Sequence, residues 1–266
     1  MSQKRQTIAI IQKDLRSITA NKRMLAALLV VPIVLTVVMP SISLLALRFL
    51  PEDTQDMERM LALLPLGEQT GDLSRDMPGL LLNYVMPTFF LLIPIMAASV
   101  MAAVSFVGEK EKRTLETLLY CPLSLRQVFR AKVLAAFSLS ELVSLASFGL
   151  MLAILEAETI LLVGAPVLPG FTWVLVMLLV SPALSLIAVT LIVRVSAKAK
   201  SVEDAQQGAV FLILPVILLG AGQFSGLMLI SPWILLGIGL LCAVLAAVLL
   251  RRALGRFTYE ALLERE

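Results

Sequence analysis

The sequence predicts an all-α polytopic membrane protein with six transmembrane helices. Three observations carry the prediction. Hydrophobic residues fill 59% of the 266 positions and charged residues 15%, against about half and about a quarter in soluble domains. Several stretches reach the roughly 20 apolar residues that cross a bilayer, and mean hydropathy is +0.94. Finally, the basic residues gather on one side of a six-span arrangement, the bias that orients membrane proteins.

Residues 1–23 carry Lys4, Arg5, Lys13, Arg16, Lys22 and Arg23 against a single acid, Asp14. Ile8, Ile11, Leu15 and Ile18 recur at steps of three and four, which places them on one helical face. That pattern fits an amphipathic helix lying at the membrane surface; a soluble tail with accidental periodicity is the alternative. The first span covers about residues 24–47, with bends expected at Pro32 and Pro40. It is too long and too proline-rich for a signal peptide's core, and no small-residue cleavage site clearly follows, so it is expected to be retained.

Residues 48–78 form an acidic loop, with Glu52, Asp53, Asp56, Glu58, Glu68, Asp72 and Asp76 against Arg59 and Arg75. The second span follows at about 79–107, the third at 125–155 and the fourth at 172–193. Ile160 to Val167, cut off by Pro166, Pro169 and Gly170, is too short to cross and reads as an interfacial or re-entrant piece. Ser201 with Asp204 three positions on gives a capping-box-like helix start, which the acidic pair Glu203/Asp204 favours. From there the fifth span reaches about Gly222, and the sixth runs from about Trp233 to Leu250. A charged tail, 251–266, closes the chain.

Counting Lys and Arg sets the orientation. Six lie in residues 1–23, six in 107–132, three in 194–200 and four in the tail, nineteen of the twenty-two in the chain. A six-span order puts all nineteen on one side, so both termini and the 108–125 insert are expected in the cytoplasm of an inner-membrane protein, with the acidic loop outside.

That insert is the densest charge in the chain. Glu109/Arg113 and Lys112/Glu116 are opposite charges four apart, which supports a helix. Leu115, Leu118 and Leu119 form an apolar stripe beside them, and Pro122 stops the helix. Ser124 and Gln127 match the S-x-x-Q capping box and restart a helix into the third span. From the residues alone the insert is either a solvated connector or a surface offered to a cytoplasmic partner.

The run E-K-E-K-R-T-L-E-T-L-L-Y-C-P-L-S, Glu109 to Ser124, resembles the signature of ABC-2 type transporter permeases, roughly E-K-E-[RK]-x-x-x-T-L-E-x-L-L-x-x-P-[LV]-S. Here Thr114 follows Arg113 directly, as in members reading E-K-E-R-G-T-L-E, and Cys121 stands where small or polar residues are more usual. The basic N-terminal helix, the six spans and the position of the motif extend the resemblance over the chain. It implies that Glu109, Lys110, Glu111, Arg113, Leu115, Glu116, Leu118, Leu119 and Pro122 belong to a coupling helix that docks on a separate ATP-binding cassette subunit. It further implies two such ATPase copies and a second permease chain, identical or a paralogue, in a system that exports, the family's substrates ranging over drugs, peptides, polysaccharides, lipids and ions.

What the chain lacks narrows the chemistry. It has no histidine, which removes HExxH zinc sites and Ser-His or Cys-His catalytic pairs. It has no GxxxxGK[ST], so no phosphate cradle of its own. Any ATP and Mg would be bound by the partner, and no catalytic residue, metal site or cofactor is expected in this chain. Cys121 and Cys242 have no ligand spacing. A net charge of +3 gives no reason to expect nucleic acid. An ATP-independent secondary transporter or channel is the alternative, but no internal repeat of the kind such transporters show is evident. An intramembrane enzyme would need paired catalytic groups within the spans.

One acid interrupts the spans. Glu141 sits near the middle of the third, where a charge costs about 2.5–3.5 kcal/mol on insertion scales. Ser138, Ser144 and Ser147 are spaced by threes with it. Either Glu141, Ser138 and Ser144 line a transport path, or the acid bonds a neighbouring helix in a packed interface. Gln206 and Gln207, opening the fifth span, either line the inner mouth of that path or meet headgroups.

Overall fold

The computed structural model describes residues 12, 13, 16, 22–49, 61, 73–111, 125–196, 198–224 and 230–256. Among them there is no strand, and six helical segments are long and apolar enough to cross a membrane. The first is α1 (Lys22–Ile33) continued by α2 (Met39–Phe49); the second is α3 (Leu73–Leu80), α4 (Met86–Phe90) and α5 (Leu92–Glu111). The third is a single helix, α6 (Leu125–Val163). The fourth joins α7 (Phe171–Leu175) to α8 (Ser181–Ser196), the fifth α9 (Val202–Gln206) to α10 (Val210–Phe224), and the sixth is α11 (Pro232–Arg256).

Prolines dictate where these helices widen. Val34–Val38, Leu81–Val85 and Val176–Val180 are π-helical turns, and Pro40, Pro87 and Pro182 each stand two residues beyond. In each case the residue between donates its N–H five positions back, Met39 to Val34, Met86 to Leu81 and Ser181 to Val176. Proline has no N–H, and its ring collides with the carbonyl four residues earlier. One residue of extra winding moves that carbonyl aside without ending the helix.

The second and fourth spans form the centre, 89% and 67% buried, whereas the other four are 17–28% buried. Around this pair the outer spans turn Leu142, Leu161, Phe211 and Leu241 outward, side chains as apolar as the lipid tails they would meet. Hydroxyls within the helices bond their own backbone: Thr36 to Pro32 at 2.7 Å, Ser99 to Ile95 at 2.7 Å and Thr159 to Leu155 at 2.9 Å. Each of these hydroxyl protons is thereby kept from facing hydrocarbon unpaired.

Two boundaries differ from the sequence expectation. Helix α3 starts at Leu73, so the last residues assigned to the acidic loop already belong to the second span's helix. Ile160 to Val163 are the end of α6, not a separate re-entrant piece. The helix stops at Gly164, whose positive φ of 77° suits glycine, and whose N–H closes onto Thr159 and Ile160. The expected helix start at Ser201 is present: its hydroxyl accepts from the Asp204 N–H at 3.1 Å, and the Asp204 carboxylate accepts from the Lys200 N–H at 3.0 Å.

Candidate functional site: polar contacts inside the bundle

Glu141 is half-buried on α6 and faces the fourth span. Ser185 on α8 donates to its Oε1 at 2.6 Å. Ser181, at the start of α8, reaches Oε2 at 3.1 Å and Oε1 at 3.3 Å. Both serines are fully buried. They lie four apart, so they project from one face of α8, and the π-turn ahead of Pro182 fixes where that face begins. The pair of hydroxyls supplies the hydrogen bonding that a carboxylate needs away from water.

The predicted companions of Glu141 divide. Three positions are 300° around a helix, so Ser138 and Ser144 fall about 60° to either side of Glu141. Ser144 is turned inward and buried, its hydroxyl donating to Ser140 at 2.9 Å. Ser138 is turned outward and exposed. Neither serine shares a hydrogen bond with the acid. Gln206 ends α9 half-buried and Gln207 follows exposed, both at the opening of the fifth span. Of the expected docking residues, Glu109, Lys110 and Glu111 are the last turn of α5. Arg113, Leu115, Glu116, Leu118, Leu119 and Pro122 lie outside the described residues, as do Ile8, Ile11, Leu15 and Ile18 of the N-terminal helix, most of the acidic loop and the tail beyond Arg256.

A second polar cluster surrounds the broken part of the second span. The Trp173 Nε1 donates to the Leu82 carbonyl at 3.0 Å, and the Gln223 Nε2 to the Tyr84 carbonyl at 3.1 Å. Asn83 holds the segment before α7 from both sides: its Oδ1 accepts from the Gly170 N–H at 2.6 Å, and its Nδ2 donates to the Leu168 carbonyl at 3.3 Å. Trp173 also lies tilted against Phe148 at 4.8 Å and meets Phe90 edge-on at 5.2 Å. Below, Gly220 of α10 lies against the Phe89 ring so closely that a Cβ there would sit 2.4 Å from Phe89 Cζ.

None of Asn83, Trp173, Ser181, Ser185 or Gln223 stood out as functional in the sequence. The signal available was a polar residue inside an apolar span, with Pro87 or Pro182 close by to disturb the backbone. Among the described residues, no cluster of three or more His, Cys, Asp or Glu could hold a metal ion.

Neither the comparison with curated proteins nor that with solved structures gives a match. Residues 8–233 do match the family described as ABC-2 family transporter protein, a stretch that takes in five of the six spans and the whole charged insert. Six crossings, an insert that departs from the end of a buried second span, and this match over most of the chain lead to one assignment: the protein belongs to the ABC-2 transporter family, as a multi-pass permease subunit that works with an ABC ATPase.

Proposed function

We propose that this permease couples ATP hydrolysis by a separate ABC ATPase to export of its cargo across the plasma membrane. Both termini and the 108–125 insert lie in the cytoplasm, and Glu109, Lys110, Glu111, Arg113, Leu115, Glu116, Leu118, Leu119 and Pro122 form the surface on which the ATPase docks. ATP and Mg are bound by that partner. Two ATPase copies and a second permease chain complete the assembly. The observation that carries this reading is the place of the insert: it leaves directly from α5, the most buried helix run in the bundle. A push on it therefore acts on the centre of the molecule rather than on a lipid-facing edge.

Glu141, with Ser181 and Ser185, is the polar point on the path. It belongs to a span that is mostly exposed yet points its acid at the central fourth span. Intramembrane carboxylates of this kind lean towards cargo or proton contacts.

Reversing Glu109, Glu111 and Glu116 to lysine tests the docking surface. The variant is expected to reach the membrane but to lose co-purification with the ATPase. A complex that survives with ATP hydrolysis unchanged overturns the assignment.

A further inference from the structure

Lys132 and Asp76 are the buried charged residues among those described. Lys132 stands two turns into α6, just after the insert, and reaches back to the helix just before it. Its Nζ donates to the backbone carbonyl of Ser105 on α5 and lies 5.3 Å from the centre of the Phe106 ring. Phe106 in turn packs against Phe129, one turn earlier on α6, with ring centres 5.6 Å apart. Three residues past Ser105, Gly108 faces Val202 at the start of the fifth span, where an added Cβ would be 3.8 Å from Val202 Cγ2. The stem of the insert is thus gripped by the third span on one flank and met by the fifth on the other.

From this we infer that Lys132 is a positioning residue for energy coupling, the joint through which movement of the insert reaches the second and third spans together. The inference rests on the coupling reading above. Burying an ammonium carries a large desolvation penalty, and an apolar side chain of the same length would pin two helices without it. What the ammonium adds is a directional tie across the root of the insert. From α6 its Nζ holds the Ser105 carbonyl of α5 and sits over the Phe106 ring, at the end of a flexible four-carbon stem with three donors. An apolar side chain would pack between the two helices but would not bond the α5 backbone.

The test uses the complete permease–ATPase complex in proteoliposomes and reads ATP hydrolysis per assembled complex, relative to the isolated ATPase. Lys132→Met keeps the stem and removes the charge. It is expected to assemble but to lower the stimulation of hydrolysis about tenfold, within the usual range of coupling between sites, whereas Lys132→Arg keeps most of it. A purely structural lysine would instead reduce complex yield and melting temperature while leaving hydrolysis per complex unchanged, and that result overturns the inference. Should Lys132→Met fail to assemble, Phe106→Leu removes the ring and leaves the lysine; in the assembled complex it must then lower the stimulation while Lys132→Arg retains it, or the inference fails. If wild-type permease leaves the ATPase rate unaltered, the coupling reading itself falls. That is a different result from wild-type stimulation that Lys132→Met does not change.

Discussion

The second and third spans are neighbours of opposite construction. The second contains Pro78, Pro87 and Pro94, changes its winding at Leu81–Val85, turns at Leu91, and is 89% buried. The third has no proline, runs unbroken for 39 residues and is 22% buried. In water one would expect the irregular segment at the surface. A bilayer reverses this, because a carbonyl that loses its helical partner finds no water in hydrocarbon. Where Pro87 leaves the second span without regular bonding, other segments reach in, Trp173 to the Leu82 carbonyl and Gln223 to that of Tyr84, and Asn83 reaches out to the stretch before α7. The intact third span satisfies its own backbone and can therefore face lipid. Its ties to neighbours are made by side chains instead, Lys132 to the Ser105 carbonyl and Glu141 to Ser181 and Ser185.

The sharpest way to break this comparison is at Trp173, which both fills the core beside Phe90 and Phe148 and donates to the Leu82 carbonyl. Trp173→Ala should destabilise the purified protein by about 3–5 kcal/mol, the usual range for deleting a large buried aromatic. Trp173→Phe, which keeps most of the ring and loses the donor, should cost about 1–2 kcal/mol. Both are read from denaturant or thermal unfolding in detergent. A phenylalanine variant as stable as wild type would mean that the broken span has no need of a donor from outside.

The corresponding test on the third span is Glu141→Leu. It removes the acceptor for Ser181 and Ser185, but it also removes a carboxylate that is costly within the membrane. These changes oppose each other, and each serine can turn its hydroxyl onto its own helix as Ser144 and Ser147 do. The net loss should be about 1 kcal/mol, well below that of Trp173→Ala. A loss as large as the tryptophan's would show that the third span depends on its neighbour as the second does. Glu141→Gln, which keeps an acceptor, should fold normally while transport by the complex falls. Unaltered transport and an unaltered pH profile would reduce Glu141 to packing.

The same contrast explains what the sequence could reveal. Span number and order were legible because hydrocarbon thickness imposes a length and a composition that few other folds meet. The Ser201–Asp204 helix start was legible because it is local. The end of the third helix was not. Pro166, Pro169 and Gly170 made Ile160 to Val167 look separate, yet the stop is one glycine earlier than those signals, at Gly164. At the site, spacing identified Glu141 and the direction of its neighbours along α6, but a helix has two sides. Ser138 and Ser144 are equally near Glu141 in sequence and only packing decides which turns inward. The acid's partners, Ser181 and Ser185, come from forty or more positions away, and nothing in a single chain pairs them beforehand. The prolines of the second span were visible as letters, but the donors that answer them were spread over the fourth and fifth spans.

The finest test concerns the donor that is only half used. Gln223 is fully buried; its Nε2 bonds the Tyr84 carbonyl, while its Oε1 has no hydrogen-bond partner among the described residues. An unmatched buried acceptor carries a penalty of about 1–3 kcal/mol, comparable to what the amide's one bond returns. Gln223→Met has nearly the same shape and no polar atom of that strength. It should leave unfolding stability within about 1 kcal/mol of wild type, a smaller change than Trp173→Phe although both remove one bond to the same broken stretch. The difference arises because tryptophan has a single polar group and uses it, whereas glutamine brings two and satisfies one. A large loss in the methionine variant would mean that Oε1 is occupied in the membrane, by water or by cargo. The N-terminal half of the second span would then be a polar site rather than a patched backbone.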